Sequence, residues 1–448
     1  SGDTIALASG ASQTGFGRTG TVDWQTSIKT STITAVNGEG YFVNTTGGAI
    51  TANLPAGASG SIVAFRDYAN TFDNNSLTIS ADGSEKINGN AIDLEVSAEG
   101  ESITLVYADS TKGWLVVNDG NNDAGGQTQY ITATGGTITT CGDYKIHTFT
   151  GPGTFCVSAG QGPVANVEYV VVAGGGGAGG TAPTNVMSGA GGAGGFRFAS
   201  PSLAPLTYPA KPLAGPAALP VTATGYPVTV GGGGAGGTYC APSGPGYCGQ
   251  AGSNSVFTGT TTITSAGGGG GARFTTCGGN GGSGGGGSQY PGQPTNKGTG
   301  NTPPVSPPQG NPGGNGRYCG PDGSTNSGGG GGGAAAAGSN ATSENGGAGG
   351  SGAGLPAGFG SNGEPCGSYR YYAGGGRGGN SGTASPLAGA IGGGGNGMGN
   401  GGTQACGAGV TNTGGGGGGV VSSPSTSPNK TGGAGGSGIV VIRYKYQN

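Results

Sequence analysis

Runs of glycine dominate the second half of the chain and restrict how it can fold. From Gly174 onward, short glycine tracts alternate with variable inserts as far as residue 438. The chain holds 116 glycines in 448 residues, about four times the ordinary share. Glycine loses more conformational freedom on folding than any other residue, so an ordered structure built from these tracts needs a dense set of hydrogen bonds.

The polyproline-II helix is the conformation that best fits these tracts. It has three residues per turn and no internal hydrogen bonds, so its backbone N–H and C=O groups point outward. Without side chains, neighbouring helices can approach and bond to one another laterally, each bond being worth about 1 kcal/mol net. The similar tract lengths and frequent inserts therefore predict a bundle of polyproline-II rods joined by turns at both ends.

Two other structures are compatible with a glycine-rich composition. Disordered tracts are usually charged or strongly polar, whereas only 8% of this chain is charged. Collagen needs a strict Gly-X-Y period, which no long stretch keeps. Flexible linkers would also leave the apolar strand at 439–446 without a partner. Pairing with the apolar run at 167–173 would clamp both ends of the bundle at one β platform.

Composition divides the chain into segments of different character, and the predicted fold is all-β plus polyproline-II with almost no α-helix. The predicted segments are the end of a fibre shaft or a linker at 1–23, an antiparallel β module at 24–118, a linker at 119–129, a β platform at 130–172 that strand 439–446 closes, and a glycine-rich bundle at 173–438.

Strand signals mark the segment 24–118. Short runs of β-branched and aromatic residues alternate with polar ones and are bounded by Gly, Asn or Asp. Their spacing is typical of a compact antiparallel module. Trp24 and Trp114 stand near its two ends, and both are expected in its core.

Eight cysteines without any CxxC motif favour disulfides and an oxidising exterior over a zinc site. Cys141 and Cys156 flank an expected hairpin, and Cys240 and Cys248 bracket a short loop, so each pair is a disulfide candidate. The other candidates lie beside glycine tracts, and the sequence does not set their pairing: Cys277, Cys319, Cys366 and Cys406. Free buried thiols are the alternative.

Charge and hydropathy argue against several classes of function. The net charge is −3, and the Lys and Arg residues form no basic run such as nucleic-acid binding requires. No apolar stretch reaches the roughly 18 residues of a membrane span. His147 is the only histidine, and its place in an alternating strand predicts a structural role. No metal site and no cofactor are expected.

Glycine-rich chains also match catalytic motifs by coincidence. GxGxxG occurs repeatedly with no helix pattern after it. Residues 281–285 match a GxSxG elbow around Ser283 without the strand–helix context that such an elbow needs. Paired carboxylates for glycoside cleavage stay open, although acidic residues are sparse. We therefore expect no catalytic residue and no enzymatic activity.

Tyrosines in the inserts give the best candidate for a binding site. Tyr rings offer a large contact area at low entropic cost, and Tyr and Arg are favoured at interface hot spots. The candidates are Tyr290, Tyr318, Tyr369, Arg370, Tyr371 and Tyr372. The alternative is that these rings seal the ends of the rods. Loops at the end away from the platform would meet a partner first, so the site is expected there.

Several segments resemble the glycine-rich domain of phage tail fibres, which is common in marine and cyanobacterial phages. They are VEYVVVAGGGGAGG, YPVTVGGGGAGG, GSNSVF with ITSAGGGGG, and the terminal GGSGIVVIRY. The segment GEGYFVNTTGGAITANLP resembles a β module of the same fibre proteins, and GDYKIHTFTGPGTFCV resembles the strand pair that precedes the domain. The rods are similar to the polyproline-II tip adhesins of some T-even-like phages.

The resemblance implies that constant glycine rods form a scaffold and variable inserts form binding loops. It implies an extracellular virion protein, part of a tail fibre that is usually a homotrimer. The implied partner is a glycan, a protein receptor or another outer-membrane component of a host cell. The long cysteine-bearing inserts depart from the pattern and leave the target of the loops open. The alternative is a structural filament protein or an antifreeze-like polyproline-II protein without receptor binding.

Overall fold

The fold is described by a computed structural model, which covers residues 22–119, 129–161, 164–180, 187–205, 207–238, 248–273, 278–288, 296–318, 326–343, 345–380, 386–399, 406–421 and 430–447. These residues contain no α-helix, so the predicted all-β class is confirmed. The chain divides into two compact units, of which the second begins at Tyr130. The predicted shaft end at 1–23 and linker at 119–129 lie almost wholly outside the described residues.

Two β-sheets enclose one apolar core in the first unit. The strands are β1 (Asp23–Lys29), β2 (Ile33–Thr34), β3 (Glu39–Val43), β4 (Ile50–Asn53), β5 (Ile62–Asp67), β6 (Leu77–Ser80), β7 (Leu94–Val96), β8 (Ser102–Asp109) and β9 (Gly113–Asp119). One sheet has the order β1-β3-β5-β8-β9 and the other β2-β4-β6-β7. Along β8, buried residues alternate with half-buried ones, as expected for a strand with one face on the core.

Strand direction in this unit differs from the prediction. The β1–β3, β3–β5, β2–β4 and β4–β6 pairs are parallel, whereas β5–β8, β8–β9 and β6–β7 are antiparallel. The module is therefore mixed, and the prediction of an antiparallel module is wrong. From β1 to β6, successive strands alternate between the two sheets. The chain therefore returns to each sheet in the same direction.

The two tryptophans have different environments. Trp114 is fully buried, its ring packs edge-on against Tyr107, and its indole N–H donates to the Glu85 carboxylate at 3.2 Å. Trp24 is 39% exposed, because β1 is an edge strand and its ring lies over Gly40 on the outer face of the sheet. The core prediction is confirmed for Trp114 and wrong for Trp24.

Further sheets form the β platform of the second unit. Its strands are β10 (Gln129–Thr134), β11 (Thr137–Cys141), β12 (Tyr144–Phe149), β13 (Gly153–Gln161), β14 (Asn166–Val172), β15 (Phe196–Ala199), β16 (Leu219–Pro220), β17 (Gly225–Thr229), β18 (Ser255–Thr258), β19 (Thr262–Ser265) and β23 (Ile439–Lys445). One sheet has the order β11-β12-β23-β14-β15 with β16 beside β14, and the other β10-β13-β17-β18-β19.

Strands β14 and β23 form the centre of the platform. They pair antiparallel with Val170 opposite Val441, which is the pairing expected from the sequence. Nearly every residue of both strands is buried, since apolar cores cover both faces of their sheet. The first and last strands of the glycine-rich region are thus held side by side.

The expected hairpin between Cys141 and Cys156 does not form. Strand β12 instead makes a hairpin with β11, and its other edge pairs with β23. Strand β13 lies in the second sheet, beside β10 and β17. Sequence proximity suggested the wrong neighbour because the distant C-terminal strand occupies the edge of β12.

His147 is fully buried on β12 and has a structural role. Its Nδ1 lies 2.7 Å from the carbonyl O of Gly135, and its Nε2 lies 3.1 Å from the hydroxyl of Tyr444. Burial lowers the pKa of the imidazole and raises that of Tyr444 to about 12. Both groups therefore stay uncharged at neutral pH and join three chain segments.

Rods of glycine-rich backbone fill the rest of the second unit, and their hydrogen bonds repeat every three residues. In rod 173–180, the N–H groups of Gly174 and Gly177 donate to one rod and those of Gly175 and Ala178 donate to another. The N–H of Gly176, with that of Gly179, donates to a third rod. None of the glycines of this rod has a positive φ. This is the threefold pattern expected of a polyproline-II helix.

Rod 187–195 lies inside the bundle and bonds to rods on every side. It donates to rods 413–421, 266–273 and 326–334. It accepts from rods 173–180, 283–288 and 373–380. Apart from the ends, each pair of neighbouring rods has one donor rod and one acceptor rod. Successive contacts around a rod therefore alternate between donation and acceptance, as in a hexagonal packing.

Close approach of the backbones explains why the buried tract positions are glycine. A Cβ on Gly176 would overlap the carbonyl O of Gly269, and a Cβ on Gly191 would overlap that of Gly176. Gly232 is different, because it faces open space and a Cβ would meet nothing within 4 Å. Direction relative to the neighbouring rod, rather than position in the tract, therefore decides whether a side chain fits.

A matched pair of alanine substitutions tests this account of the lattice. We expect Gly176→Ala to destabilise the second unit by about 1–3 kcal/mol or more, because the methyl group must push two rods apart. Gly232→Ala reduces the conformational entropy of the unfolded chain by the same amount but causes no clash. It should therefore be neutral or stabilise the protein by up to about 1 kcal/mol. Chemical denaturation measures both. Equal destabilisation by the two variants would contradict the lattice.

A buried ion pair fixes the register of the platform. Glu168 on β14 is directly opposite Arg443 on β23, and their Oε2 and Nε atoms are 2.6 Å apart. Ser200 donates its hydroxyl to the same carboxylate at 2.7 Å, and Ser202 donates its backbone N–H to it at 2.8 Å. Burial alone would raise the pKa of Glu168, but the Arg443 charge and these donors lower it overall.

Neutralising Glu168 tests the ion pair. Glu168→Gln leaves the Arg443 charge buried without a counter-ion, so we expect a loss of about 3–5 kcal/mol at pH 7. The folded pKa of Glu168 is below its ordinary value of 4.5. The stabilisation is therefore present above that value and is lost as the pH falls through the lower folded pKa.

Denaturation of wild type and variant between pH 7 and pH 3 measures this difference, with Asp143→Asn on the exposed β11–β12 turn as control. The wild type and Glu168→Gln should converge in stability at the acid end. A difference that stays constant over this range would refute the linkage.

Candidate functional site

The two ends of the rod bundle have different roles. Rods leave the platform at residues 173, 231 and 266 and return to it at 195, 254 and 438, directly beside the platform strands. The opposite end is called here the loop-bearing end. The hydrogen-bonded rods place at that end the described residues that flank eight of the inserts, namely 180 and 187, 238 and 248, 273 and 278, 288 and 296, 318 and 326, 380 and 386, 399 and 406, and 421 and 430.

A collar of single β-bridges closes the rods where several of these inserts begin. Arg317 pairs with Ser327, Ser327 with Asn380, and Asn380 with Gly399. Met187 pairs in the same way with Val421. Arg317 and Ser327 form the neck of the insert between them. The N–H of Arg317 donates to the carbonyl O of Ser327 at 2.8 Å, and the N–H of Ser327 donates to the carbonyl O of Arg317 at 3.2 Å. The inserts therefore emerge from a fixed frame.

Cationic side chains lie just inside the collar. Burial lowers the pKa of Arg377 and of Lys430, whose neighbour Cys406 has the opposite effect on it. Burial also raises the pKa of the Cys406 thiol to about 11. That thiol donates to the carbonyl O of Thr431 at 3.1 Å. It is therefore protonated at neutral pH and is not a nucleophile.

The predicted Tyr-rich site is not at the loop-bearing end. Residues 369–372 form a strand, β22 (Tyr369–Tyr372), between β20 (Ala353–Pro356) and β21 (Glu364–Cys366). This small sheet packs against the platform: Tyr372 is 1% exposed and shares a core with Val170 and Val441. The predicted location is therefore wrong for Tyr369, Arg370, Tyr371 and Tyr372. The cause is the apolar side of the hairpin, which is buried against the platform strands.

Tyr372 is a structural residue. Its ring stacks on Phe196 at 6.3 Å, and its hydroxyl donates to the carbonyl O of Asn362 at 2.8 Å. Burial raises its pKa. Tyr369, Arg370 and Tyr371 are only half-buried, and the rings of the two tyrosines meet edge-on at 6.5 Å. Of the four predicted residues on β22, only Tyr369, Arg370 and Tyr371 are accessible to a partner.

Of the other two predicted site residues, Tyr318 is described and lies at the loop-bearing end. Tyr318 follows the collar residue Arg317 and is 38% exposed. Tyr290 lies outside the described residues, in the insert between Ser288 and Asn296. Ser288 and Asn296, which flank that insert, are joined by a hydrogen bond from the Asn296 side-chain amide to the carbonyl O of Ser288. Tyr318 is therefore placed where the sequence predicted it.

The predicted disulfide between Cys141 and Cys156 is not formed. Both are exposed free thiols, and they lie in different sheets of the platform. Cys366 is an exposed free thiol on β21, and Cys406 is also free. Cys240, the expected partner of Cys248, lies outside the described residues, as do Cys277 and Cys319.

The described residues contain neither a metal-binding cluster nor a membrane-spanning helix. No group of three or more His, Cys, Asp or Glu residues among them could hold a metal ion. No helix in the part of the chain that the structure describes is long and apolar enough to cross a membrane.

Comparison with known families adds a class to this architecture. Residues 148–445 match the family described as the glycine-rich domain. The match covers β13 to β23 and every rod of the bundle, so the chain belongs to this glycine-rich domain family. No curated protein matches the chain.

The sequence contained a signal for the buried ion pair, which was not predicted. Glu168 and Arg443 are charged residues within strongly apolar strands, and pairing those strands with their ends aligned would have brought the charges together. The placement of Arg377 and Lys430 just inside the collar had no such signal, since it depends on the order of rods in the lattice.

Two tyrosine substitutions distinguish the buried from the exposed side of β22. We expect Tyr372→Ala to destabilise the second unit by about 3–5 kcal/mol, because it leaves a cavity in the platform core. Tyr371→Ala, on the exposed side, should cost about 1 kcal/mol or less. Urea denaturation measures the difference. Similar values for both would show that Tyr372 is not part of the core.

Proposed function

We propose that this protein is a receptor-binding adhesin of a phage tail fibre, whose inserts at the loop-bearing end attach to a host cell surface. The observation that carries the proposal is the separation of the two ends of the bundle. Strands β14 and β23 hold the two ends of the glycine-rich region at the platform. Eight of the inserts begin and end at the loop-bearing end.

Rigidity at the collar supports this function. Loops bind with less loss of entropy when a stiff frame holds their ends. The Arg317–Ser327 neck and the fully buried Asn380 supply such a frame. Sequence variation in the inserts would leave the lattice unchanged, because the rods bond to one another mainly through their backbones.

The partner that we propose is a glycan or another exposed component of the host envelope, bound without catalysis, by a fibre that assembles as a homotrimer outside the cell. Tyr318 remains a tyrosine candidate because it lies beside the collar. Tyr290 remains one on its sequence position alone. A structural filament or antifreeze-like protein is the other candidate, and the experiment below separates it from an adhesin.

The test replaces the segments 289–295 and 318–325, which include Tyr290 and Tyr318, with Gly-Ser segments of the same length. Purified protein is incubated with cells of several marine bacterial and cyanobacterial isolates, and adsorbed protein is measured. We expect wild type to adsorb to at least one isolate and the replaced protein to adsorb at least about tenfold less. Tyr369→Ala with Tyr371→Ala, on the platform side, is the matched control and should adsorb like wild type.

Circular dichroism and thermal denaturation confirm that the variants are folded. Adsorption of the insert-replaced protein at the wild-type level would refute the proposal. Failure of the wild type to adsorb to any isolate would favour the structural protein instead.

A further inference from the structure

Charge is divided unevenly between the two units. Before Tyr130 the sequence has fourteen Asp and Glu residues and five Lys and Arg residues, a net charge of −9. From Tyr130 onward it has five Asp and Glu residues and eleven Lys and Arg residues, a net charge of +6. The glycine-rich unit is therefore cationic, although the whole chain carries −3.

Within the second unit, the described carboxylates lie at the platform end and two of them are engaged. Glu168 pairs with Arg443, and Glu364 accepts the backbone N–H groups of Gly392 and Gly393 at 2.7 and 2.6 Å. Asp143 lies on the turn between β11 and β12. None of these side chains can neutralise a cation at the loop-bearing end.

The loop-bearing end carries cations only, as far as the described residues go. They are Arg273, Lys297, Arg317, Arg377 and Lys430. The second unit has two further carboxylates in its sequence, Asp322 and Glu344, which lie outside the described residues. Five cations against two carboxylates leave this end positive even when both are counted.

Two of the cations lie beside adjacent residues of one rod, Gly397 and Met398. The Arg377 side chain lies along Gly397, and the Lys430 ammonium is 3.4 Å from the sulfur of Met398. The Nε atom of Arg377 is buried and has no hydrogen-bond partner within the described residues. A buried donor without an acceptor is unfavourable by about 1–3 kcal/mol. An incoming anionic group could remove that penalty.

We propose that the loop-bearing end, centred on Arg377 and Lys430, binds an oxyanion, a carboxylate or phosphate, carried by a cell-surface glycan. This inference rests on the proposed function and adds the chemical class of the receptor. A guanidinium group binds an oxyanion through two parallel N–H donors, and an ammonium group adds a point charge. The surrounding positive field would also speed the approach of an anionic polymer, an effect that salt weakens.

The test measures binding of the full chain to four immobilised polymers at low salt. Alginate carries carboxylates, and uncharged dextran is its control. Intact lipopolysaccharide carries phosphates, and dephosphorylated lipopolysaccharide is its control. We expect binding to alginate, to intact lipopolysaccharide or to both, and none to dextran. Binding should fall severalfold when salt is raised from about 0.05 M to about 0.5 M. Loss on dephosphorylation would assign the anion as phosphate, and binding to alginate alone would assign it as carboxylate.

Charge-removing variants then locate the site. R377Q/K430Q should weaken binding at least about tenfold. K211Q/R370Q removes the same charge near the platform and should bind like wild type. R377K/K430R keeps the charge and should retain most of the binding. Equal loss in R377Q/K430Q and K211Q/R370Q would overturn the site, as would unchanged binding in R377Q/K430Q or equal binding of wild type to dextran.

Two further comparisons keep the result interpretable. If R377Q/K430Q loses its folded circular dichroism spectrum, K430Q alone replaces it, and unchanged binding by a folded K430Q overturns the site. If insert replacement abolishes adsorption to cells while R377Q/K430Q adsorbs like wild type, the proposed function stands and this inference fails. If the insert-replaced protein still adsorbs, the proposed function fails and the polymer measurements decide the inference alone.

Discussion

Lateral hydrogen bonds between rods hold the glycine-rich unit together, and each one requires two backbones to approach without a Cβ between them. Around rod 187–195, donation and acceptance alternate, so the inner rod satisfies its polar groups through neighbours on all sides. An unpaired N–H inside such a bundle would cost about 1–3 kcal/mol. The lattice is therefore cooperative: a rod is stable only where its neighbours are in place.

The platform supplies what the lattice lacks. Glycine rods have large conformational entropy to lose and almost no apolar side chains to bury. Strands β14 and β23 bring together residues far apart in the sequence and bury them in two apolar cores. A slip of one residue between these strands would separate Glu168 from Arg443 and reverse the faces of every side chain. The ion pair thus specifies one register, and that register aligns the first and last rods.

The sequence was informative where a local pattern had one physical solution. Alternating apolar runs predicted the strands, glycine tracts predicted the rods, and the two most apolar strands predicted their own pairing. It was uninformative where a neighbour came from far along the chain. Strand β12 pairs with β23 instead of β13, and the alternation of β1 to β6 between two sheets makes parallel pairs. The Tyr-rich hairpin illustrates the same limit, since Tyr372 packs against platform strands that the insert itself does not indicate.

Side chains also end the lattice at its sides. Rod 248–254 turns Gly249 and Gly252 toward rod 173–180, where a Cβ would overlap carbonyl oxygens, and exposes Gln250 and Ser253. Exposed side chains of this kind block the approach of another bare backbone, as charged or bulky residues do on the edge strand of a sheet. Extra residues can therefore be inserted without breaking the hydrogen bonds between rods only at the positions where rods end. At the platform end, inserts form strands of the platform or the small sheet β20-β22-β21 that packs on it. The proposed binding therefore depends on the inserts at the other end.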